Sequence, residues 1–165
     1  MELKIFKEDE NILLPNFATT GSAAFDIRAY LINVMVTVYD RLNEKHEVPV
    51  ASYLELWPSC RALIPTGLIF DIPQGYVLKV FARSGLSAKY GLTLSNGVGI
   101  IDSDYVEPLF VIVQNNTDAP VSIQHGERIA QCILEKTLDY NITKTKNKPQ
   151  QKTTRDGGFG STGTA

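Results

Sequence analysis

The sequence predicts an all-β protein, a sandwich or closed barrel, on three observations. From residue 63 onward, short β-rich segments recur every eight to twelve residues. Turn-forming clusters separate them, at Pro73-Gln74-Gly75, Asn115-Asn116-Thr117-Asp118 and Gln124-His125-Gly126. No long helical period appears anywhere. Short alternating runs cut by turns build sandwiches and barrels, whereas a helix needs a sustained apolar period near 3.6.

Taken in order, Leu3-Lys4-Ile5-Phe6 alternates as a strand and Glu8-Asp9-Glu10 is an acidic turn. Pro15, Asn16 and Thr19-Thr20-Gly21-Ser22 mark a loop. The strand Ala23-Ala24-Phe25-Asp26-Ile27-Arg28-Ala29 carries one carboxylate among small residues. Alternation at Val34, Val36 and Val38, and again at Val48 and Val50, predicts a hairpin over residues 31–52 with a charged loop. Pro49 makes its second strand an edge, since proline cannot donate to a ladder, and His46 is a solvated loop residue. One short helix is predicted at Ser84-Gly85-Leu86-Ser87-Ala88-Lys89-Tyr90. Leu92-Thr93-Leu94 and Gly99-Ile100-Ile101 read as the arms of a hairpin around Ser95-Asn96-Gly97, because Asn-Gly is the strongest short hairpin signal. Leu109-Phe110-Val111-Ile112-Val113 is a buried strand, and the run from Gly126 to Ile133 a turn and strand with a structural Arg128–Glu127 pair. His125 is an exposed turn residue. Residues 1–138 thus form the β core, and 139–165 a polar, basic linker and arm ending in glycines around Arg155 and Phe159.

At 165 residues the chain fits one domain, able to bury roughly two-thirds of its unfolded surface. A net charge of -2 leaves no footprint for a polyanion, so nucleic acid is not an expected partner. Cys60 and Cys132 stand far apart in no metal-type spacing and are expected reduced and structural. No apolar run approaches a membrane span and no signal-peptide pattern opens the chain, so a cytoplasmic location and no membrane partner are expected.

Chemistry concentrates between residues 82 and 105. Arg83-Ser84-Gly85 is an anion grip: the guanidinium fork takes oxygens in pairs, the hydroxyl donates, and glycine admits close backbone approach. A hairpin at residues 96–101 offers backbone donors and acceptors to a flat base edge. Asp102, directly after Ile100-Ile101, sits where a strand leaves the core and suits a general base.

Together Arg83-Ser84-Gly85-Leu86, Asn96 and Val98-Gly99-Ile100-Ile101-Asp102-Ser103-Asp104-Tyr105 closely resemble motifs two and three of the trimeric dUTPases. Ala23-Ala24-Phe25-Asp26-Ile27 resembles the first motif, with Ala24 where glycine is usual. Gly126-Glu127-Arg128-Ile129-Ala130-Gln131 resembles the fourth, and Arg155-Asp156-Gly157-Gly158-Phe159-Gly160 the fifth. The fifth lacks one residue after its arginine, which shortens the reach by up to roughly 3.5 Å. Val106-Glu107-Pro108 replaces a basic or polar residue and glycine, His125 replaces proline, and residues 31–52 are an insertion relative to the family.

The resemblance implies a jelly-roll-like β-barrel, a homotrimer with sites shared between subunits, and Mg2+-dependent hydrolysis of dUTP to dUMP and pyrophosphate. That activity keeps uracil out of DNA and supplies dUMP for dTMP synthesis. It implies Asp102 as base toward a water attacking the α-phosphorus. Arg83, Ser84, Gly85, Gln131, Arg155, Gly160 and Ser161 are implied around the phosphates, and Asp26 acts through water on magnesium. Asn96, Gly99, Ile100 and Ile101 are implied at the uracil edge, Tyr105 at the sugar, and Phe159 stacked on the base. Two alternatives share the fold: a dUTP-binding regulator using the insertion as partner surface, and a dCTP deaminase, which would need Arg-Ser-Ser where this chain has Gly85.

Overall fold

The computed structural model describes residues 2–154. β1 (Lys4–Lys7) pairs with β7 (Leu68–Asp71). A four-stranded sheet has the order β10 (Val98–Ile101), β8 (Tyr76–Ala82), β13 (Arg128–Lys136), β2 (Phe25–Arg28). A five-stranded sheet runs β4 (Lys45–Val50), β3 (Val34–Tyr39), β6 (Arg61–Pro65), β11 (Phe110–Asn115), β9 (Leu92–Leu94). β5 (Tyr53–Leu56) pairs with β12 (Val121–Gln124), and every pairing is antiparallel.

Period-two alternation decides which face each strand buries. In the five-stranded sheet Val38, Ala62, Val113 and Leu94 lie abreast, and Ala62, Val113 and Leu94 are buried. In the four-stranded sheet Gly99, Val80, Cys132 and Phe25 form the facing row. Both rows contribute to one apolar cluster that includes Ile27, Val36, Ile64, Leu78 and Val111. Fully burying each such aliphatic side chain contributes about 1.5–3 kcal/mol. Asn115 is fully buried but satisfied: its Nδ2 donates to Leu56 O (2.9 Å) and Ala119 O (2.8 Å), and its Oδ1 accepts from Thr117 N (2.9 Å). Those bonds tie the β5–β12 ribbon to the end of β11. Cys60 and Cys132 are free and buried, and burial pushes the Cys132 thiol up to about 12.

The hairpin expected in residues 31–52 is β3–β4, and β4, which carries Pro49, is the sheet edge. It is no detached appendage, because β3 also pairs with β6 through Thr37↔Leu63 and Val38↔Ala62, and Val36 is fully buried. His46, expected in the loop, lies instead in β4; it is exposed, with Nε2 3.1 Å from Asp40 Oδ2. The predicted helix is α1 (Ser84–Tyr90), closed by Gly91 in the left-handed conformation with its N–H donating to Leu86 O.

The expected hairpin around Asn96-Gly97 is not found. The segments flanking Asn96-Gly97 do not form a paired hairpin: β9 pairs with β11 in one sheet and β10 with β8 in the other. The turn itself is present, with Gly97 at φ 72°, its N–H donating to Leu94 O (3.2 Å) and Val98 N donating to Asn96 O (2.8 Å). It is a corner between two sheets. Beyond Lys136, residues 137–154 form no strand or helix.

Candidate functional site

Register across the four-stranded sheet lines up Val98, Phe81, Gln131 and Asp26 on the face opposite the core. Residues paired directly across strands share a face, so this row looks outward. Arg83 follows the end of β8 in extended conformation (φ -88°, ψ 127°) and folds back over the sheet. Its Nε donates to Asp26 Oδ1 at 2.9 Å and its Nη1 to the Arg128 carbonyl at 2.9 Å. Arg128 Nη1 donates to Asp26 Oδ2 at 3.1 Å, so one carboxylate bridges two guanidinium groups. Gln131 Nε2 donates to Ala82 O at 2.9 Å, and Ser84 and Gly85 are exposed immediately beyond Arg83. The small residues Ser22, Ala23 and Ala24 leave an open cleft of about 590 Å³ beside Asp26 and Gln131.

The structure therefore brings Asp26, Arg83, Arg128 and Gln131 together, and Ser84 and Gly85 follow Arg83 directly in the chain. Arg28 stands directly opposite Arg128 on the β2–β13 ladder. Three arginines against one carboxylate leave a cationic excess, the right sign for a phosphate chain. The expected Arg128–Glu127 pair is not formed: Arg128 holds Asp26, and Glu127 Oε2 accepts from Gln124 N at 2.9 Å. Glu127 lies in the turn before β13 and serves its main chain, whereas Arg128 opens the strand beside Asp26. His125 is exposed as expected, though its Nδ1 accepts from Leu31 N at 3.1 Å.

A second group gathers around β10. Gly99 is buried against Val80, and a Cβ there would lie 3.0 Å from Val80 Cβ and 3.6 Å from Asn96 Nδ2. Gly99→Ala should cost about 1–3 kcal/mol in urea unfolding, since Val80 is a rigid β-branched neighbour inside the ladder. An unchanged midpoint would show that β8 and β10 can separate there. Ile100 points outward and Ile101 is half-buried. Asp102 is exposed just after β10, and its carbonyl accepts from Tyr105 N at 3.2 Å. Tyr105 OH donates to Pro108 O at 3.0 Å, so Val106-Glu107-Pro108 closes this turn on the tyrosine.

The two groups stand apart within one chain. Continuing the Ile101↔Leu78 register by one residue sets Asp102 opposite Val77, six residues before Arg83. At about 3.3 Å per strand residue that is about 20 Å. Arg83 moreover reaches away from β10, toward β2. Asp102 and the arginine cluster of the same chain do not converge on one small ligand. Arg155, Phe159, Gly160 and Ser161 lie outside the described residues.

Asp26 offers both oxygens to guanidinium donors, so it does not fit direct metal ligation; each oxygen keeps a lone pair for a metal-bound water. Magnesium prefers phosphate oxygens and water, so these residues would fit it only through a bound water on Asp26.

The antiparallel sheets around one apolar cluster make this an all-β, jelly-roll-like barrel, with arginines gathered on Asp26 and a solvent-facing carboxylate, Asp102, just after β10. The sequence pattern of the dUTPase family matches residues 46–163. The deoxyuridine 5'-triphosphate nucleotidohydrolase of Finegoldia magna is 39% identical over 164 residues, 99% of each chain. The crystal structure of dUTPase from Streptococcus mutans superposes with a TM-score of 0.66 at 27% identity, covering 86% of this chain and 99% of that one. The Staphylococcus bacteriophage 80alpha dUTPase with dUpNHpp superposes with a TM-score of 0.77 at 22% identity, covering 98% of each. The chain belongs to the dUTPase family.

Proposed function

We propose that the chain hydrolyses dUTP to dUMP and pyrophosphate in the cytoplasm, at sites completed by neighbouring copies in a homotrimer. The observation that carries this is the Asp26–Arg83–Arg128 cluster beside Gln131 and Ser84, which builds a phosphate seat on the scaffold of a dUTP-hydrolysing family. The separation of Asp102 from that seat supports the shared site. In each site the arginine cluster of one chain takes the triphosphate, and β10 with Asp102 comes from another.

Asp102 accepts a proton from water as its oxygen attacks the α-phosphorus. The bond from that phosphorus to the bridging oxygen breaks, and pyrophosphate leaves with the electron pair. Arg83, Ser84 and Gln131 hold the phosphates in line and neutralise developing charge, and Arg155 and Ser161 supply further donors to them. Mg2+, held through water by Asp26, would supply further charge neutralisation. Asn96 and the backbone of residues 99–101 satisfy the uracil edge. Cytosine's amino group would meet a donor there and leave partners unpaired, a strong discrimination. Phe159 stacks on the base, with Gly85 and Gly160 admitting close backbone approach.

Pyrophosphate release measured in parallel from dUTP, dCTP, dTTP and UTP tests the assignment. Release from dUTP alone is expected. Equal release from all four, or none from dUTP, would overturn it, and ammonia release from dCTP would mark a deaminase. Tyr105→Ala should raise turnover of UTP relative to dUTP by about tenfold, because the ring blocks a 2′-hydroxyl. An unchanged ratio would place sugar selection elsewhere.

A further inference from the structure

The two chain neighbours Ile129 and Ala130 are both buried, although residues in a regular strand alternate between faces. The break is a bulge. On the β2–β13 ladder Gln131 pairs with Asp26 and Ala130 with Ile27, but the next β2 residue, Arg28, pairs with Arg128, leaving Ile129 as the extra residue. Without it, the parity set by the core-facing Cys132 and Ala130 would turn Arg128 into the core. With it, Ile129 is 2% exposed and Arg128 emerges on the face that carries Asp26. Bulges re-aim side chains in this way.

Two contacts depend on that turn of the chain. The Arg128 guanidinium takes Asp26 Oδ2 at 3.1 Å, and the Arg128 carbonyl takes Arg83 Nη1 at 2.9 Å. The carbonyl is open to Arg83 because β13 outruns β8 there: the Ala130↔Ala82 pair is the last on that ladder. Arg83 is thus pinned at Nε by Asp26 and at Nη1 by Arg128. Its Nη2 has no hydrogen-bond partner among the described residues and is left to a ligand.

We infer that Arg128, set by the Ile129 bulge, is a positioning residue for triphosphate binding: it orients Arg83 through Asp26 and touches no substrate itself. The inference rests on the reading of Arg83 as phosphate grip. A single bridging carboxylate makes the coupling specific: without the Arg128 guanidinium, Asp26 loses the donor that holds its Oδ2 and places Arg83 Nε less firmly, while the main-chain contact to Nη1 stays.

The test compares the wild-type chain with Arg128→Gln, Arg128→Lys, Asp26→Asn and the Arg128→Gln/Asp26→Asn double variant. Affinity for the imido analogue dUpNHpp is measured beside inhibition by deoxyuridine, which carries no phosphate, and beside thermal melting. Arg128→Gln should weaken dUpNHpp about tenfold, with deoxyuridine changed less than twofold. Arg128→Lys, which keeps a donor for Asp26, should recover most of the loss. Added to Asp26→Asn, Arg128→Gln should cost nothing further, because contacts in one network are not additive. Additive losses, or dUpNHpp and deoxyuridine weakened alike, would overturn the inference. So would an Arg128→Lys variant that melts like wild type and binds dUpNHpp no better than Arg128→Gln. A wild-type chain that neither binds dUpNHpp nor releases pyrophosphate would remove the functional reading instead.

Discussion

Asp102→Asn is expected to lower dUTP turnover by roughly 10² or more while dUpNHpp affinity stays within several-fold. Asparagine keeps the shape of the side chain and removes only its capacity to take a proton. The structure makes this a clean substitution. Asp102 is exposed at the end of β10, and its turn is held by main-chain and tyrosine contacts: Tyr105 N donates to the Asp102 carbonyl, and Tyr105 OH donates to Pro108 O. None of these uses the carboxylate. Single-turnover kinetics together with equilibrium binding of dUpNHpp separate the chemical step from binding. Turnover within threefold of wild type would remove Asp102 from the role of base.

The strands were legible where alternation was strong and the register local. β3–β4, β6 and β11 follow from their valines, leucines and isoleucines, and α1 from a short run bounded by Arg83 and a glycine. What the sequence hid is which strands pair over long range. Asn96-Gly97 specifies a tight turn, but a turn does not oblige its arms to bond to each other. β9 finds Val113 and Gln114 of β11 and β10 finds Val80 and Phe81 of β8, so the turn becomes a corner. Such pairings depend on residues twenty positions away.

The arginine cluster on Asp26 was half legible. Arg83, Asp26 and Gln131 were visible from their motifs, yet their mutual contacts were not, because they come from three different elements. Arg128 was assigned to the wrong partner. The pattern Arg128-Ile129-Ala130-Gln131, two apolar residues between two polar ones inside an alternating strand, is the local sign of a bulge and could have placed Arg128 on the Asp26 face. Residues 31–52 read as an inserted hairpin with a charged loop, but burial of Val36 and pairing to β6 come from the third dimension.

Mixing two inactive variants should restore activity, and the amount is set by symmetry. Arg83→Ala removes the phosphate grip and leaves Asp102 intact; Asp102→Asn does the reverse. Within a chain the two residues lie about 20 Å apart along the β8–β10 ladder, so under the proposed shared site they come from different chains. If the two variants are unfolded and refolded together at equal amounts, chains assort at random into cyclic trimers. A site then works only when its Asp102 comes from an Arg83→Ala chain and its Arg83 from an Asp102→Asn chain. Each condition holds half the time, so about a quarter of wild-type activity should return. Were both residues to serve a site within one chain, no mixed trimer could hold an intact pair and the mixture would stay as inactive as its components. Tagging the two variants differently and isolating doubly tagged trimers makes the outcome decisive: inactivity in those trimers would return the whole site to a single chain.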